Sequence, residues 1–180
     1  MTDSRTLSRA WRGLETPSTE HLELELARGV TVTSRVVRGD VSIEYTADLD
    51  ADWTFRTLRA TRADGLTLEL ARDRRGRWTA DGAARADLSG AVDIDMVITP
   101  FTNTLPLRRL DLEVGGAVDI VTAWVDENLH VFPDPQRYTR IDRNRYLFES
   151  DGGAFVREIV VDSESFIADY PGLFVALDTE

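Results

Sequence analysis

The 180-residue chain contains no cysteine, no lysine and only two histidines, His21 and His130. Without thiols the chain can form no disulfide, thiol nucleophile or thiolate metal site, and the two histidines lie far apart in sequence. All 21 basic side chains are arginines, and 32 acidic side chains outnumber them, so the formal net charge is −11. This charge opposes non-specific attraction to nucleic acid. The sequence therefore predicts neither a nucleic-acid partner nor a metal site.

Long apolar runs are also missing. No stretch approaches the roughly 18 consecutive apolar residues that a membrane-spanning helix needs, and residues 1–11 lack the apolar core of a secretory signal. We expect no integral membrane segment and a cytoplasmic location. The chain shows no repeat, low-complexity tract or Pro/Ser-rich linker, so residues 1–180 are interpreted as a single domain.

The dominant pattern is the alternation of apolar and polar residues. His21 to Leu26 places three leucines on one face and acids on the other, which is typical of a half-buried strand. Asp64-Gly65 is flanked by two extended segments and predicts a hairpin. The further extended candidates are Thr31 to Arg38, Val41 to Tyr45, Trp53 to Arg62, Leu66 to Ala71, Arg77 to Ala80, Val92 to Ile98, Ala117 to Val125, Leu129 to Phe132, Arg145 to Glu149, Ala154 to Val161 and Phe166 to Ala168.

So many strands in one domain predict an all-β fold whose sheet curls into a barrel, roll or sandwich. Helical patterns are scarce. Thr99 to Pro106 is interpreted as a rigid, turn-rich loop, and Leu105 to Leu112 fits either a short helical turn or an edge strand because Pro106 lacks an N–H group. Whether side chains fill the inside of the curl or leave a ligand cavity stays open at this point.

Two carboxylates, Asp93 and Asp95, lie two residues apart on a predicted strand and so project from the same face. They could bind a cation, act as an acid and base pair, or neutralise Arg108 or Arg109. The ion pair is the favoured interpretation. The alternate acids Asp48, Asp50 and Asp52 are interpreted as a solvated turn, because the glycine and glutamate of a calcium loop do not follow.

Three tryptophans on predicted strands, Trp53, Trp78 and Trp124, suit a large interior. Core packing is the default for such residues, and an aromatic-lined lipid or sugar cavity would use the same ones.

Several segments resemble the putative glycolipid-binding family, formerly a domain of unknown function. The most specific is Thr99 to Leu110, which reads TPFTNTLPLRRL. The others are Trp11 with Leu14-Glu15, Asp52-Trp53, Gly76 to Trp78 with Asp81-Gly82, Leu88 to Gly90 with Asp93 to Asp95, Gln136 to Tyr138, and Asp169 to Phe174. The resemblance implies a spiral β-roll, a strongly curled antiparallel sheet similar to bacterial lipoprotein carriers, and a glycolipid or lipid ligand. It brings no catalytic residues.

The predicted function is therefore non-enzymatic binding of a lipid or glycolipid in an apolar cavity of the curled sheet, with no cofactor. We expect Asn103, Arg108 and Arg109 at the polar rim, and Trp53, Trp78 and Trp124 along the interior. A protein-interaction module is the first alternative. A hydrolase that uses Asp93 and Asp95 ranks lower, because glycosidases need carboxylates that face each other across the bond.

Overall fold

A computed structural model describes residues 4–178 of the chain. Fifteen strands and one α-helix make up nearly all of the regular structure, with single 3₁₀ turns at Ala86–Leu88 and Asp151–Gly153. The strands are β1 (Arg5–Gly13), β2 (Ser18–Leu26), β3 (Gly29–Arg38), β4 (Val41–Asp50), β5 (Phe55–Arg62), β6 (Thr67–Arg72), β7 (Trp78–Ala80), β8 (Ala83–Ala84), β9 (Ala91–Met96), β10 (Ala117–Val125), β11 (Val131–Arg140), β12 (Arg145–Ser150), β13 (Phe155–Val161), β14 (Ile167–Tyr170) and β15 (Phe174–Leu177); the helix is α1 (Phe101–Leu110).

All fifteen strands join one sheet, in the order β8-β7-β6-β5-β4-β3-β2-β1-β15-β14-β13-β12-β11-β10-β9. Neighbouring strands are antiparallel, as in the β5–β6 hairpin that Asp64-Gly65 predicts, except for the parallel pair β9–β10. A flat open sheet of this width is unusual, because strand twist accumulates until the sheet curls. The sheet is strongly curled and not closed, which confirms the predicted all-β roll.

The two ends of the chain meet in the middle of the sheet. Strand β1 pairs with β2 on one side and with β15 on the other. The indole Nε1 of Trp11 on β1 also donates to the carbonyl of Ile167 on β14, at 2.7 Å. The free edges, β8 and β9, therefore come from the middle of the sequence, where residues 85–90 connect them.

Strands β2 to β6 follow the alternation expected of a sheet with one buried face. Along β2, for example, Leu22 and Leu24 are buried, while His21 and Glu23 are exposed. The buried faces of these strands build the larger of two hydrophobic clusters. The smaller cluster lies between β11, β12, β13 and β14 and includes Tyr138 and Phe148.

The β9 edge is wound inside the curl, as in a spiral. Ile94 and Met96 pack into the larger cluster with residues from the first half of the sheet. Both the indole Nε1 of Trp78 and the guanidinium Nε of Arg72 donate to the carbonyl of Ala91, at 3.0 and 3.2 Å. These two hydrogen bonds fix the start of β9 against strands β6 and β7.

Helix α1 connects the parallel strands β9 and β10. Residues 99–106, interpreted from the sequence as a rigid loop, are largely this helix, so that prediction was wrong. For residues 105–112 the helical alternative is confirmed as far as Leu110, and the edge strand was wrong. Pro100 precedes it, where a proline costs no hydrogen bond. Residues 101–107 are all buried, and Pro106 is tolerated inside the helix because tertiary packing overrides propensity. The helix contributes Phe101 and Leu105 to the larger cluster and Leu107 to the smaller one.

The axis of the roll is consequently filled with protein.

The interpretation of Asp48 and Asp50 as part of a solvated turn was also wrong, because both residues lie on β4. Asp48 accepts hydrogen bonds from the hydroxyls of Thr31 and Thr57, each at 2.9 Å, and Asp50 forms an ion pair with Arg56.

Candidate functional site

Two of the three predicted interior tryptophans are part of the packed core. Trp78 stacks on Phe55 with ring centroids 5.1 Å apart and an interplanar angle of 10°. Trp53 is buried beside Phe166, and the guanidinium of Arg108 lies 4.0 Å from the centre of its ring. Neither tryptophan lines any of three surface cavities formed by the described residues.

The two predicted rim arginines are held by internal contacts. Arg109 binds Asp93 through two hydrogen bonds, Nε to Oδ1 at 3.2 Å and a terminal nitrogen to Oδ2 at 2.6 Å. Asp93 is 0% exposed, so this ion pair joins β9 to the last turn of α1. Arg108 donates to the carbonyl of Glu164 at 2.6 Å, and burial lowers its pKa. The expected ion pair at Asp93 is confirmed.

The remaining two predicted residues, Asn103 and Trp124, lie together at a cavity of about 540 Å³, which we call the acidic cavity. It opens beside the inner face of strands β9 to β12. Its lining residues are Glu15, Asp95, Met96, Val97, Thr99, Asn103, Trp124, Asp134, Phe148, Ser150, Asp151, Phe155, Tyr170, Leu173 and Phe174.

One wall of the acidic cavity carries two carboxylates that share a hydrogen-bond donor. The side-chain Nε2 of Gln136 donates to Asp95 Oδ2 at 2.6 Å and to Asp134 Oδ2 at 2.9 Å. The hydroxyl of Thr102 on α1 donates to Asp95 Oδ1 at 3.1 Å. Burial raises the pKa of Asp95 to about 6 and also raises the pKa of Asp134. All of these partners of Asp95 are neutral.

Asn103 is positioned by the same helix. Its side-chain amide donates to the hydroxyl of Tyr138 on β11, at 2.9 Å. This buried hydrogen bond fixes the direction of an amide at the cavity wall. It joins the helix to the smaller cluster, which includes Tyr138.

The other wall is aromatic. Phe148 lies 6.0 Å from Phe155 and 6.2 Å from Tyr170, both in edge-to-face geometry, and Tyr170 lies 6.3 Å from Phe174. Trp124 is partly exposed and packs 6.2 Å from Phe132. Rigid aromatic rings beside hydrogen-bonding carboxylates and an amide suit a ligand with both apolar and hydroxyl-bearing surfaces.

A second cavity of about 450 Å³, which we call the side groove, adjoins the acidic cavity. The two share Glu15, Val97, Leu173 and Phe174 as lining residues. The side groove extends along the apolar side chains of Val36, Val41 and Ile43 on β3 and β4. Its lining also includes Arg38, which is paired with Glu127, and Arg62, which is paired with Asp64. Val97 at the shared wall is 42% exposed and Val41 is 46% exposed. Exposed apolar side chains therefore lie beside the exposed Glu15 at and near the shared wall.

The third cavity lies on the exposed face of β1 to β5 and has a mixed polar lining that includes His21, Glu23 and Arg35. Within residues 4–178, no group of three potential ligating side chains is arranged to hold a metal ion. The described part of the chain also has no helix of sufficient length and apolarity to cross a bilayer.

Sequence reasoning missed Asp134, Gln136 and most of the aromatic wall. Prolines are unusual inside strands, and with Pro133 and Pro135 following it the predicted strand ended at Phe132, although β11 continues to Arg140. A signal was nevertheless present, because four of the segments that resemble the glycolipid-binding family contribute residues to this cavity. The cavity residues that belong to those segments are Glu15, Asp95, Thr99, Asn103, Tyr170, Leu173 and Phe174.

The fold and the site together define a spiral β-roll with a plugged centre and two adjoining cavities at its side. Comparison with family models assigns the chain more specifically: residues 8–176 match the family described as "Putative glycolipid-binding", and the chain belongs to that family. A similar solved structure is that of a DUF1089 family protein from Pseudomonas aeruginosa, with 32% sequence identity and a TM-score of 0.72 over 98% of this chain and 94% of that one. The comparison with curated proteins found no match.

Proposed function

We propose that the protein binds a lipid or glycolipid without catalysing a reaction on it, with the head group in the acidic cavity and the apolar chain in the side groove. The observation that carries this proposal is the adjacency of the two cavities, which share four lining residues. The acidic cavity combines carboxylates with an aromatic wall, and the side groove adds the aliphatic side chains of Val36, Val41 and Ile43. An amphipathic ligand needs such a division. The family's description agrees with a glycolipid ligand.

Burial of the apolar chain would supply most of the affinity. At about 25 cal/mol per Å² of apolar surface, removal of roughly 300 Å² of a lipid tail from water is worth about 7 kcal/mol before ordering costs. The apolar surface of Val36, Val41 and Ile43 faces the side groove. Hydrogen bonds in the acidic cavity would then decide which head group is accepted.

The carboxylate geometry supports binding rather than hydrolysis. Asp93 is fully buried against Arg109 and is out of reach of a substrate. Asp95 and Asp134 both contact the one amide of Gln136, so they lie on the same wall. Glycosidases place their two carboxylates on opposite sides of the scissile bond.

A bulky side chain at the shared wall tests this proposal. We expect Val97→Trp to reduce lipid binding at least about tenfold, because the indole would occupy the junction of the two cavities. Val37→Trp is the matched control: Val37 is 41% exposed, is on the outer face of β3 and lines none of the cavities. Native mass spectrometry of gently purified protein would measure the retained lipid.

Tryptophan fluorescence locates the ligand independently. Of the four tryptophans, Trp11, Trp53 and Trp78 are buried in the core, and Trp124 lines the acidic cavity. A lipid-induced change in emission should therefore disappear in Trp124→Phe. Retained lipid that is equal in Val97→Trp and Val37→Trp would contradict the proposal, as would an unaltered emission change in Trp124→Phe. A protein partner captured with equal affinity by all these variants would favour the interaction module instead.

A further inference from the structure

The charged side chains that line the acidic cavity are all acidic. Its lining includes four carboxylates, Glu15, Asp95, Asp134 and Asp151, and of the described residues that line it none is basic. This is notable in a chain with 21 arginines. The arginines of α1 face elsewhere, because Arg109 is bound to Asp93 and Arg108 to the carbonyl of Glu164.

One further arginine lies behind the aromatic wall. The guanidinium of Arg157 is 4.7 Å from the ring centre of Phe155, and it donates to the carbonyl of Val156 at 2.8 Å. The ring of Phe155 is among the lining residues and Arg157 is not. An anion inside the cavity would therefore face carboxylates and aromatic rings without a direct cationic partner.

A buried polar atom beside the carboxylates also lacks a partner. Gln136 is 3% exposed, and both of the hydrogen bonds made by its Nε2 go to Asp95 and Asp134. Its Oε1 has no hydrogen-bond partner. Unsatisfied buried acceptors are rare in folded proteins. Gln136 is not itself among the lining residues, but the two carboxylates that its amide holds are, and carboxylate oxygens favour a ligand that donates hydrogen bonds.

From these observations we infer that the acidic cavity selects an uncharged or amine-bearing sugar head group and rejects head groups that carry a phosphate. The inference rests on the proposed function and specifies its ligand class. Sugar hydroxyls donate to carboxylates, and the apolar faces of sugar rings pack on aromatic side chains. A phosphate would lose its hydration and face like charges, which is a repulsive element of specificity.

Three lipids with identical acyl chains test the inference on the full-length protein: monoglucosyl diacylglycerol, diacylglycerol without a head group, and phosphatidic acid. Dissociation constants would be measured by tryptophan fluorescence at pH 7.5 and low ionic strength. We expect the glucosyl lipid to bind about tenfold more tightly than diacylglycerol, and phosphatidic acid to bind about tenfold more weakly than diacylglycerol.

Removal of single lining charges tests whether electrostatic repulsion, rather than the shape of the cavity, weakens phosphatidic acid binding. Asp134→Asn and Asp151→Asn each remove one lining charge, and we expect each to improve phosphatidic acid binding by about threefold to tenfold, the size of a single charge interaction in a partly hydrated site. Glu25→Gln is the control, since it changes the net charge equally on the exposed face of β2. Thermal melting of each variant would verify that it is folded.

The outcomes separate the inference from the proposed function. If all three lipids bind equally, lipid binding stands and head-group selection is wrong. If phosphatidic acid binds as tightly as the glucosyl lipid, or if Glu25→Gln improves its binding as much as Asp134→Asn does, the inference is also overturned. If none of the three lipids binds, both the proposed function and the inference fail.

Discussion

At the scale of single residues, the least expected group is Glu20, a buried acid whose side-chain hydrogen bonds come from neutral hydroxyls. Glu20 on β2 is 2% exposed, and its Oε1 accepts hydrogen bonds from the hydroxyls of Ser34 at 2.7 Å and Tyr45 at 2.8 Å. Burial raises the pKa of Glu20 from 4.5 to about 7, although these hydroxyls partly oppose the shift. The folded state therefore favours the protonated acid.

This shift predicts how stability depends on pH. Well below pH 4.5 Glu20 is protonated in both the folded and the unfolded state, so its ionisation does not change the free energy of unfolding. Between pH 4.5 and 7 it ionises only in the unfolded state, so its contribution to the free energy of unfolding falls as pH rises, by about 3 kcal/mol in total. We expect Glu20→Gln to remove this loss, so that the variant melts higher than the wild type at pH 8 and equally at pH 4.5.

Thermal denaturation from pH 4.5 to 8 would check the expectation, with Glu25→Gln on the exposed face of the same strand as the control. Parallel melting curves for Glu20→Gln and the wild type at every pH would show that Glu20 ionises normally in the folded protein.

Residue-level prediction from sequence succeeded where the period of a strand alone decides the outcome. Asp93 and Asp95 do project from one face of β9, with Ile94 and Met96 on the other. The distinct environments of the two acids could not be predicted, because they depend on which parts of α1 and β11 lie opposite. One acid meets Arg109, and the other meets the neutral side chains of Thr102 and Gln136.

At the scale of elements, helix α1 decides whether the roll is hollow. A sequence with two prolines and several threonines has weak helical propensity, which explains why it reads as a loop. The helix forms because the enclosing strands bury one residue after another from Phe101 to Leu107. Propensity is a local property, and this burial exists only once the sheet has curled.

The plugging role of α1 predicts a specific cost. Leu105 is 0% exposed in the larger cluster, whereas Leu110 at the helix end is partly exposed. We expect Leu105→Ala to lower the free energy of unfolding by about 2 to 5 kcal/mol, as for other fully buried leucines, and Leu110→Ala to lower it by less than half as much. Urea denaturation would measure both; equal and small effects would mean that the axis of the roll is loosely occupied.

Strands were predicted correctly where their own sequence alternates, and they were missed where pairing with a distant segment stabilises them. Segments with clear alternation were found, and Ala117–Val125 was found with its observed bounds. Strands β1 and β15 were missed because neither alternates clearly; each is stabilised as a strand by pairing with the other across the length of the chain. Pairing between distant segments produces no clear pattern in the sequence of either segment.

At the scale of the whole molecule, the sheet is completed only when its last strand is in place. β15 lies between β1 and β14, so deletion of residues 174–180 would leave two unpaired edges in the middle of the sheet. Exposed edges promote association between chains. We expect this deletion to lower the melting temperature by more than about 5 °C, in line with a loss of over 1 kcal/mol, and to produce oligomers.

Size-exclusion chromatography with light scattering and thermal melting would test this expectation. A chain that ends at Asp178 and so retains β15 is the control. A shortened chain that stays monomeric and melts like the control would show that the two halves of the sheet are stable without their connecting strand.

The candidate site depends on the whole molecule in the same way. Glu15 follows β1, Asn103 lies on α1, Asp134 on β11, and Leu173 and Phe174 near the end of the chain. Strand periodicity could not predict that these segments meet, because their proximity results from the spiral and from the β1–β15 pairing. The family resemblance indicated this part of the molecule in advance, because several of its segments converge on the cavity, and Asp95 and Trp124 were also singled out as residues of predicted strands.

The central position of β1 and β15 also determines how the protein would respond to mechanical force. The two strands are antiparallel, and Ala10 pairs with Leu177 at the end of the ladder nearest both chain termini. A load applied between the termini would therefore unzip this ladder one hydrogen bond at a time rather than shear it. Rupture would begin at the centre of the sheet and spread outward toward both edges.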